Sequence, residues 1–166
     1  MSAVSLRPYV PADARRCAEI FRSSIDELAA DDYSDDQREA WASRADDEAA
    51  FGKGLSAMLT LIALVDGEPA GFASLKGTDV IHMLFVAPDH AREGVATALL
   101  DALTKLAAAR GAKRLTVEAS EVAKPLFDKL GFTAEKRNVV NVNGEWLANT
   151  TMTKTLQADA PKPQLH

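Results

Sequence analysis

The chain has 166 residues and a formal net charge of −5 at pH 7, a length that suits one domain with a proper core and is short for two. Its acidic balance argues against general nucleic-acid binding, which needs a basic face, so we expect no nucleic-acid partner. No apolar run approaches the roughly 20 residues of a membrane span, and the amino terminus lacks a signal peptide, so we expect no membrane partner and a cytoplasmic location.

The amino-terminal part predicts a strand followed by a helix. Residues Val4 to Val10 alternate apolar and polar side chains and precede Pro11, a pattern typical of a short strand. Asp13 is expected to cap the next helix, because its carboxylate can accept hydrogen bonds from the first turn. That helix should end near Ala30 and bury one apolar face, formed by Ala14, Cys17, Ala18, Phe21, Ile25 and Leu28. The single cysteine, Cys17, is therefore predicted to be a packed thiol rather than a nucleophile.

The next segment is predicted to form two short helices and is strongly acidic. Ser34-x-x-Gln37 is a capping box that starts a helix through about Ser43. A third helical piece, from about Asp46 to Phe51, is expected to break at Gly52 and Gly54. The segment carries acidic residues at Asp31, Asp32, Asp35, Asp36, Glu39, Asp46, Asp47 and Glu48. They form either a solvated helical face or an acidic rim that attracts a cationic amine.

A hairpin and a long apolar run follow. Met58–Val65 and Pro69–Lys76 are predicted strands joined by Asp66-Gly67, a dipeptide that tolerates the positive φ angles of a type I′ turn. The run Val80–Val86 is mostly apolar at both parities, so it is predicted to be a central strand covered on both faces. His82 is the polar exception in this run. By alternation it shares a face with Val80, Leu84 and Val86.

A tight turn joins this run to an amphipathic helix. Pro88 ends the run, and the small residues Gly94 and Ala96 open the helix. The first turn of a helix has unpaired amide N–H groups and the positive end of the helix dipole, which together stabilise a bound phosphate. Gly94 permits a close approach to the backbone, and Arg92 adds a planar donor fork suited to phosphate. The junction therefore predicts an anion site.

The same residues resemble a known family. The string V-x-P-x-x-x-x-x-G-x-A-x-x-L-L resembles the acetyl-CoA-binding motif of the GNAT superfamily of N-acetyltransferases. It is formed by Val86, Pro88, Gly94, Ala96, Leu99 and Leu100. The family usually has Gln or Arg at the position of Ala91, and here Arg92 follows one residue later. This departure affects one side-chain contact, whereas the cradle itself is made of backbone.

A second family signature lies further along the chain. The helix is expected to end at Gly111, and Lys113–Ser120 is predicted to be a strand. Residues 120–132 resemble the second GNAT signature, Asn-x-x-Ala-x-x-Leu-Tyr-x-x-x-Gly-Phe, with Ser120 at the Asn position and Phe127 at the Tyr position. In many relatives that Tyr hydroxyl protonates the departing thiolate, which a phenyl ring cannot do. Phe127 is therefore expected to pack on the pantetheine arm, with water or Ser120 supplying the proton.

The chain closes with a second predicted hairpin, Thr133–Val142 and Glu145–Lys154, joined by Asn143-Gly144. Residues 156–166 are expected to be a flexible tail, and residues 3–155 one domain. The resemblance implies an α+β fold of three α/β layers. Its central sheet would be mixed but mainly antiparallel, with about seven strands and helices on both faces.

The resemblance also implies an acetyl-CoA-dependent N-acetyltransferase that uses no metal and transfers the acetyl group directly to a primary amine of a small molecule or peptide. Backbone from Leu84 to Val86 would pair with the pantetheine, and an N–H near Phe85 would stabilise the oxyanion. Contacts with acetyl-CoA are expected from Leu84, Phe85, Val86, Arg92, Glu93, Gly94, Val95, Ala96, Thr97, Ser120 and Phe127. Dimers are common in the family, so a monomer or a homodimer is expected.

Three further residues are candidates for contact with the acceptor amine. His82 is the first candidate base, because an imidazole with a pKa near 6.5 can take a proton from an ammonium. The alternative for His82 is a histidine hydrogen-bonded in the core. Glu118 is a second candidate base, or else an exposed or paired carboxylate. Tyr33 lies where the family often forms a wall of the acceptor cleft, so it is a candidate for substrate contact.

A rival interpretation is a non-catalytic protein of the same fold that binds or senses acyl-CoA. It is supported by the departures from the family pattern at Ala91, Ser120 and Phe127, and fold alone does not decide function. A nucleotide-dependent oxidoreductase is disfavoured, because no Gly-x-Gly-x-x-Gly opens the helix and no repeated βαβ units follow.

Overall fold

The computed structural model describes residues 3–156. Within this part of the chain the strands are β1 (Val4–Pro8), β2 (Leu59–Val65), β3 (Glu68–Lys76), β4 (Val80–Val86), β5 (Arg114–Ser120), β6 (Thr133–Val142) and β7 (Glu145–Thr155). The α-helices are α1 (Ala14–Leu28), α2 (Asp35–Ala42), α3 (Glu48–Ala57), α4 (Val95–Ala109) and α5 (Lys124–Lys129). The predicted α+β fold is confirmed.

The strands form a seven-stranded sheet in the order β1-β2-β3-β4-β5-β7-β6. Neighbouring strands are antiparallel except β4 and β5, which are parallel. One face of the sheet packs against α4 and α5 through a core that includes Leu103, Leu115 and Phe127. The other face packs against α1 and α3 through a core that includes Phe21, Leu55 and Phe72. The sheet is therefore covered by helices on both faces, as predicted.

Both predicted hairpins are confirmed by their turns. Asp66 and Gly67 have φ angles of 52° and 81°, and Asn143 and Gly144 have φ angles of 48° and 93°. Positive φ at both central residues is the requirement of a type I′ turn, which Asn, Asp and Gly meet most readily. These turns depend on the residues at the turn itself, and for that reason the sequence predicts them well.

Helix α3 differs from its prediction. It runs through both Gly52 and Gly54 to Ala57, instead of breaking at the two glycines. A Cβ added at Gly52 would lie 2.7 Å from Cβ of Ala14 and 3.2 Å from the hydroxyl of Tyr9. Gly52 therefore permits the close packing of α3 against the start of α1, and this packing outweighs the poor helix propensity of glycine.

Asp13 also differs from its prediction, because its side chain makes no cap hydrogen bond with α1. Its carboxylate accepts hydrogen bonds from the Arg7 guanidinium at 2.7 and 2.8 Å and from the Val10 N–H at 2.9 Å. The hydrogen bond from Arg7, aided by that from Val10, lowers the pKa of Asp13 against the opposing effect of burial. Asp13 thus fixes the connection between β1 and α1.

Cys17 is a packed thiol, as predicted. Its side chain lies in the core between α1 and the sheet and is 2% exposed. Burial raises the pKa of the Cys17 thiol to about 12, so the thiolate form is not populated at neutral pH.

The carboxyl-terminal prediction needs one correction. Leu156 is held to the domain, since its N–H donates to the Lys113 carbonyl at 2.8 Å and its side chain packs on the core beside α4. The remainder of the predicted tail, residues 157–166, lies outside the described residues. Among residues 3–156, no helix combines the length and apolarity needed to cross a membrane.

Candidate active site

The candidate site is the gap between β4 and β5. These two parallel strands pair only at Val80 with Thr116 and at Ile81 with Val117, and they separate beyond that point. The separation opens a cleft of about 880 Å³, lined by residues of both strands, of β7 and of the helical layer. A cleft of this size can hold a ligand and its acceptor side by side.

A β-bulge lies in β4 at His82. Ser74 of β3 pairs with Met83, but the next residue, Leu75, pairs with Ile81, so His82 is the extra residue. The bulge changes which side chains share a face. Ile81, Leu84 and Val86 pack into the core beside α4, whereas Met83 and Phe85 pack into the core beside α1.

Two predictions for β4 need correction. Simple alternation places His82 on the same face as Leu84 and Val86. Because of the bulge, Leu84 and Val86 instead share the α4 face with Ile81, the residue before His82. The strand is central, as predicted, yet it is not covered on both faces. Only Ile81 is fully buried; the other six residues are half-buried or exposed, and five of them, Val80 and residues 82–85, line the cleft.

Beyond the bulge, the backbone of β4 has free hydrogen-bonding groups. The Ala87 N–H donates to the Ala70 carbonyl at 2.8 Å, and the register pairs Phe85 with Phe72 and Val86 with Gly71. Because hydrogen-bonded and non-bonded pairs alternate along an antiparallel ladder, the peptide groups of Phe85 point toward β3. Those of Leu84 and Val86 point into the gap, so the gap-facing N–H groups belong to these two residues rather than to Phe85.

The predicted anion cradle lies at the other end of β4. Arg92 and Gly94 both have left-handed backbone, with φ angles of 65° and 82°, and α4 begins at Val95. The Ala98 N–H donates to the Gly94 carbonyl at 3.0 Å, so the N–H groups of residues 95–97 have no acceptor within the helix. Nothing lies within 4 Å of the position of a Cβ at Gly94. A phosphate therefore has both donors and room at this turn.

The remaining residues predicted at this turn border the cradle. The side chains of Arg92, Glu93 and Thr97 are exposed, Ala96 is half-buried, and Val95 is buried under the turn. The Glu93 carboxylate also accepts a hydrogen bond from His90 Nδ1 at 2.8 Å. The close packing beneath the turn is visible at Gly71, where a Cβ would lie 2.9 Å from a methyl group of Val95.

The two candidate bases, His82 and Glu118, both line the cleft. Glu118 lies on β5 next to Val117, which is buried on the α4 side, so Glu118 points to the opposite face. Desolvation lowers the pKa of His82, Lys76 and Arg44 lower it further, and Glu118 raises it. The imidazole is therefore neutral at neutral pH, the form that can accept a proton.

Ser120 and Phe127 line the cleft beside the separated end of β5. The Ser120 hydroxyl oxygen accepts a hydrogen bond from the Ala123 N–H at 3.2 Å, which leaves its O–H free to donate. Phe127 is 1% exposed, and its ring packs against that of Phe132 with 5.0 Å between centroids. Ser120 thus has the only hydroxyl of this pair, and Phe127 contributes an apolar wall.

Tyr33 borders the cleft, but its hydroxyl is fully engaged. The hydroxyl donates to the Ala148 carbonyl at 2.6 Å and accepts from the Glu121 N–H at 2.9 Å. Burial raises the pKa of Tyr33, so the phenol stays protonated. A substrate can contact the ring of Tyr33, whereas the hydroxyl joins the helical layer to β7 and to the end of β5.

Several cleft residues were not predicted from the sequence as site residues, among them Phe21, Arg44 and Lys76. No local signal marks them, because they come from three separate elements that meet only in the folded chain. Trp41 is half-buried, lines the cleft and packs against Tyr33 and Phe85. None of the acidic residues of segment 31–48, all of which are described, lines the cleft. The solvated-face interpretation is therefore favoured over the acidic rim.

Metal ligation is not evident in the described part of the chain. Between residues 3 and 156, no group of three or more His, Cys, Asp or Glu side chains is arranged to hold a metal ion.

Comparisons with known proteins show what the whole chain resembles. A family model described as an acetyltransferase (GNAT) domain matches residues 29–156. The chain is 36% identical over 152 residues to the uncharacterized N-acetyltransferase YafP of Escherichia coli K12, a match that covers 92% of this chain and 96% of YafP.

Solved structures share the fold. A GCN5-related N-acetyltransferase from Rhodopseudomonas palustris is 60% identical, with a TM-score of 0.91 over 93% of this chain and 97% of the other. The PaiA N-acetyltransferase from Thermoplasma acidophilum, solved with coenzyme A, is 18% identical with a TM-score of 0.75 over 92% and 99% of the two chains. YncA from Salmonella typhimurium, a proposed acetyltransferase solved with acetyl-CoA, is 24% identical with a TM-score of 0.66 over 96% and 97%.

Proposed function

The chain belongs to the GNAT family of acetyltransferases, and from that membership we propose that it transfers the acetyl group of acetyl-CoA directly to a primary amine of a small molecule or peptide. The observation that carries the proposal is the separation of β4 from β5. This separation leaves an anion cradle at one end of β4 and two candidate bases at the other.

The cradle fits the diphosphate of coenzyme A. It combines the amide N–H groups of residues 95–97, a helix of fifteen residues behind them, and an unobstructed Gly94. Arg92 is exposed beside it and has the planar donor fork that suits phosphate oxygens. The gap-facing peptide groups of Leu84 and Val86 can bind the amides of the pantetheine arm as an added strand would.

Within this arrangement, acetyl-CoA supplies an activated thioester. The strand holds the thioester carbonyl beside the acceptor, which replaces an encounter of two free molecules with a positioned reaction. The N–H of Leu84 is our candidate donor to the developing oxyanion, because it points into the gap next to the bulge. Neutral His82 accepts the proton from the amine, with Glu118 as the alternative base.

The leaving thiolate needs less assistance than an alkoxide. A thiol pKa of about 8.5 makes the thiolate a tolerable leaving group at neutral pH. Phe127 cannot donate a proton, so the thiolate takes its proton from water, either directly or through the Ser120 O–H, which borders the same end of the cleft and regains its proton from water. A protein that binds acetyl-CoA without turning it over is the second candidate, favoured by the missing phenol at Phe127.

Two matched glycine variants test the cradle. Gly94 and Gly111 have similar φ angles of 82° and 87°, and nothing lies within 4 Å of a Cβ at either position. Gly94→Ala and Gly111→Ala should therefore carry a similar backbone strain of about 1–2 kcal/mol. Only Gly94→Ala should also weaken acetyl-CoA binding measured by calorimetry, by about tenfold or more, because only there does a methyl group enter the path of the phosphate.

Release of free coenzyme A, measured with a thiol reagent over a panel of amines, tests turnover. Acceptor-dependent release supports the enzyme. Tight acetyl-CoA binding without release across a broad panel would favour the sensing protein.

For the glycine variants, equal acetyl-CoA affinity of Gly94→Ala, Gly111→Ala and the wild type would contradict the cradle.

A further inference from the structure

Two basic side chains in the cleft have no role in the chemistry described so far. Arg44 lies in the short turn between α2 and α3, and Lys76 is the last residue of β3. Both line the cleft together with His82 and Glu118. Among the ion pairs found between residues 3 and 156, none involves Arg44 or Lys76. These two cations therefore approach the same space from different elements without a bound carboxylate.

Their position separates them from the diphosphate cradle. Lys76 pairs with Val80 at the start of β4, whereas the cradle follows Val86 at its end. At about 3.3 Å per residue, the strand spans about 20 Å between these points. Lys76 is therefore on the acceptor side of the reacting centre, and Arg44, which acts on the same imidazole of His82, lies on that side too. Arg92 is the cation near the cradle.

The charges around His82 constrain the acceptor. The titratable groups that line the cleft near it are Arg44, Lys76, Asp79 and Glu118, and both cations act electrostatically on the imidazole. A simple amine is itself a cation before it loses its proton, so Asp79 and Glu118 would attract it while Arg44 and Lys76 would repel it. An acceptor that also carries an anion would convert this repulsion into attraction.

We propose, on the premise of the acetyltransferase function, that the acceptor is an amino acid or a similar amino-carboxylate whose carboxylate binds Arg44 and Lys76. The guanidinium of Arg44 can hold a carboxylate with two parallel hydrogen bonds, and Lys76 adds a point charge. The amine then faces His82. The apolar part of the acceptor packs against the aromatic wall formed by Phe21, Trp41 and Phe85.

The test uses acceptors of closely similar shape with and without the anion. Phenylalanine is compared with phenylalaninamide and with 2-phenylethylamine, and the other standard amino acids with their amides, by acetyl-CoA-dependent release of coenzyme A. The wild-type protein should show a kcat/KM for at least one acid about 10- to 100-fold above that of its amide, the value of a charge-assisted hydrogen bond.

Three variants link this preference to the two cations. Arg44→Gln and Lys76→Gln should each reduce the ratio of acid to amide by about tenfold. Lys53→Gln is the matched control, because Lys53 is an exposed cation of α3 outside the cleft and should leave the ratio unchanged. The ratio at a single pH is used because loss of either cation also raises the pKa of His82 and alters both rates together.

The outcomes separate this inference from the proposed function. Turnover that is equal for acids and amides, or a ratio unchanged in Arg44→Gln and Lys76→Gln, overturns the carboxylate site and leaves the acetyltransferase intact. If no acceptor causes release of coenzyme A, a binding measurement replaces the turnover assay. Calorimetry then compares the binding of the same acids and amides to the protein saturated with coenzyme A. Preferential binding of an acid that is lost in both variants supports the carboxylate site, and binding of neither overturns it.

Discussion

At the scale of single residues, the pKa of His82 is shifted by charged groups on three neighbouring elements. Desolvation, Lys76 and Arg44 lower the pKa of His82, and Glu118 raises it. Each of these groups is on a different element, so the sequence around His82 identifies a candidate base without revealing its charge state. The bulge that turns its side chain is likewise set by pairing with β3.

The pH dependence of turnover should report this environment. Because the pKa of His82 in the free protein lies below its ordinary value of about 6.5, kcat/KM for the acceptor should show a limb centred below that value, as the imidazole loses its proton. His82→Gln should abolish the limb and reduce kcat/KM by about 10²–10⁴-fold. The measurement is kcat/KM for the acceptor against pH with acetyl-CoA saturating, since this quantity reports the protein before the acceptor binds.

Glu118→Gln is the matched variant for the choice of base. Removing the Glu118 charge should lower the pKa of His82 further, so the limb should shift to lower pH while most activity remains. If Glu118→Gln costs more activity than His82→Gln, and His82→Gln keeps the limb, then Glu118 is the base.

At the scale of elements, the two hairpin turns are determined by local sequence, whereas the packing of α3 against α1 is not. Asp66-Gly67 and Asn143-Gly144 form their turns because positive φ is a property of those residues. The two glycines of α3 carry the same local signal for a helix break, yet the helix continues through them. The difference comes from Ala14 and Tyr9, which approach Gly52 from a distant part of the chain.

Gly52 and Gly54 form a matched pair for this interpretation. Gly52→Ala should reduce the free energy of unfolding by about 1–3 kcal/mol, because the new methyl group overpacks the contact with Ala14. Gly54→Ala should increase it by about 0.5–1 kcal/mol, since nothing lies within 4 Å of its Cβ and alanine favours the helix. Urea unfolding of both variants is the measurement, and a stabilising Gly52→Ala would contradict the close contact.

At the scale of the whole molecule, the family motifs indicate the fold and the phosphate cradle, but the acceptor side is assembled from remote segments. Val86, Pro88 and Gly94 lie in one short stretch, so their pattern is visible in the sequence. Tyr33 lies 88 residues from Glu121 and 115 residues from Ala148, the two partners of its hydroxyl. No periodicity predicts such pairings, and the sequence indicates Tyr33 only as a candidate for substrate contact.

Tyr33→Phe should destabilise the folded chain. It leaves the Ala148 carbonyl and the Glu121 N–H without their partner, which should reduce the free energy of unfolding by about 1–3 kcal/mol. Tyr9→Phe is the control with a smaller expected loss, because the Tyr9 hydroxyl donates to the Gly52 carbonyl over a longer 3.4 Å. The two variants are compared by thermal unfolding. An equal loss of stability in both would contradict the bridging role of Tyr33.

The burial of Cys17 has a practical consequence at this scale. The chain has 1 cysteine, and its sulfur is shielded from water and held in the unreactive form. A colorimetric sulfhydryl reagent added to the native protein should thus register only liberated product, with no background from the catalyst. In denaturant the same reagent should gain one equivalent per chain, so a single chemical titration can follow both catalysis and loss of native structure.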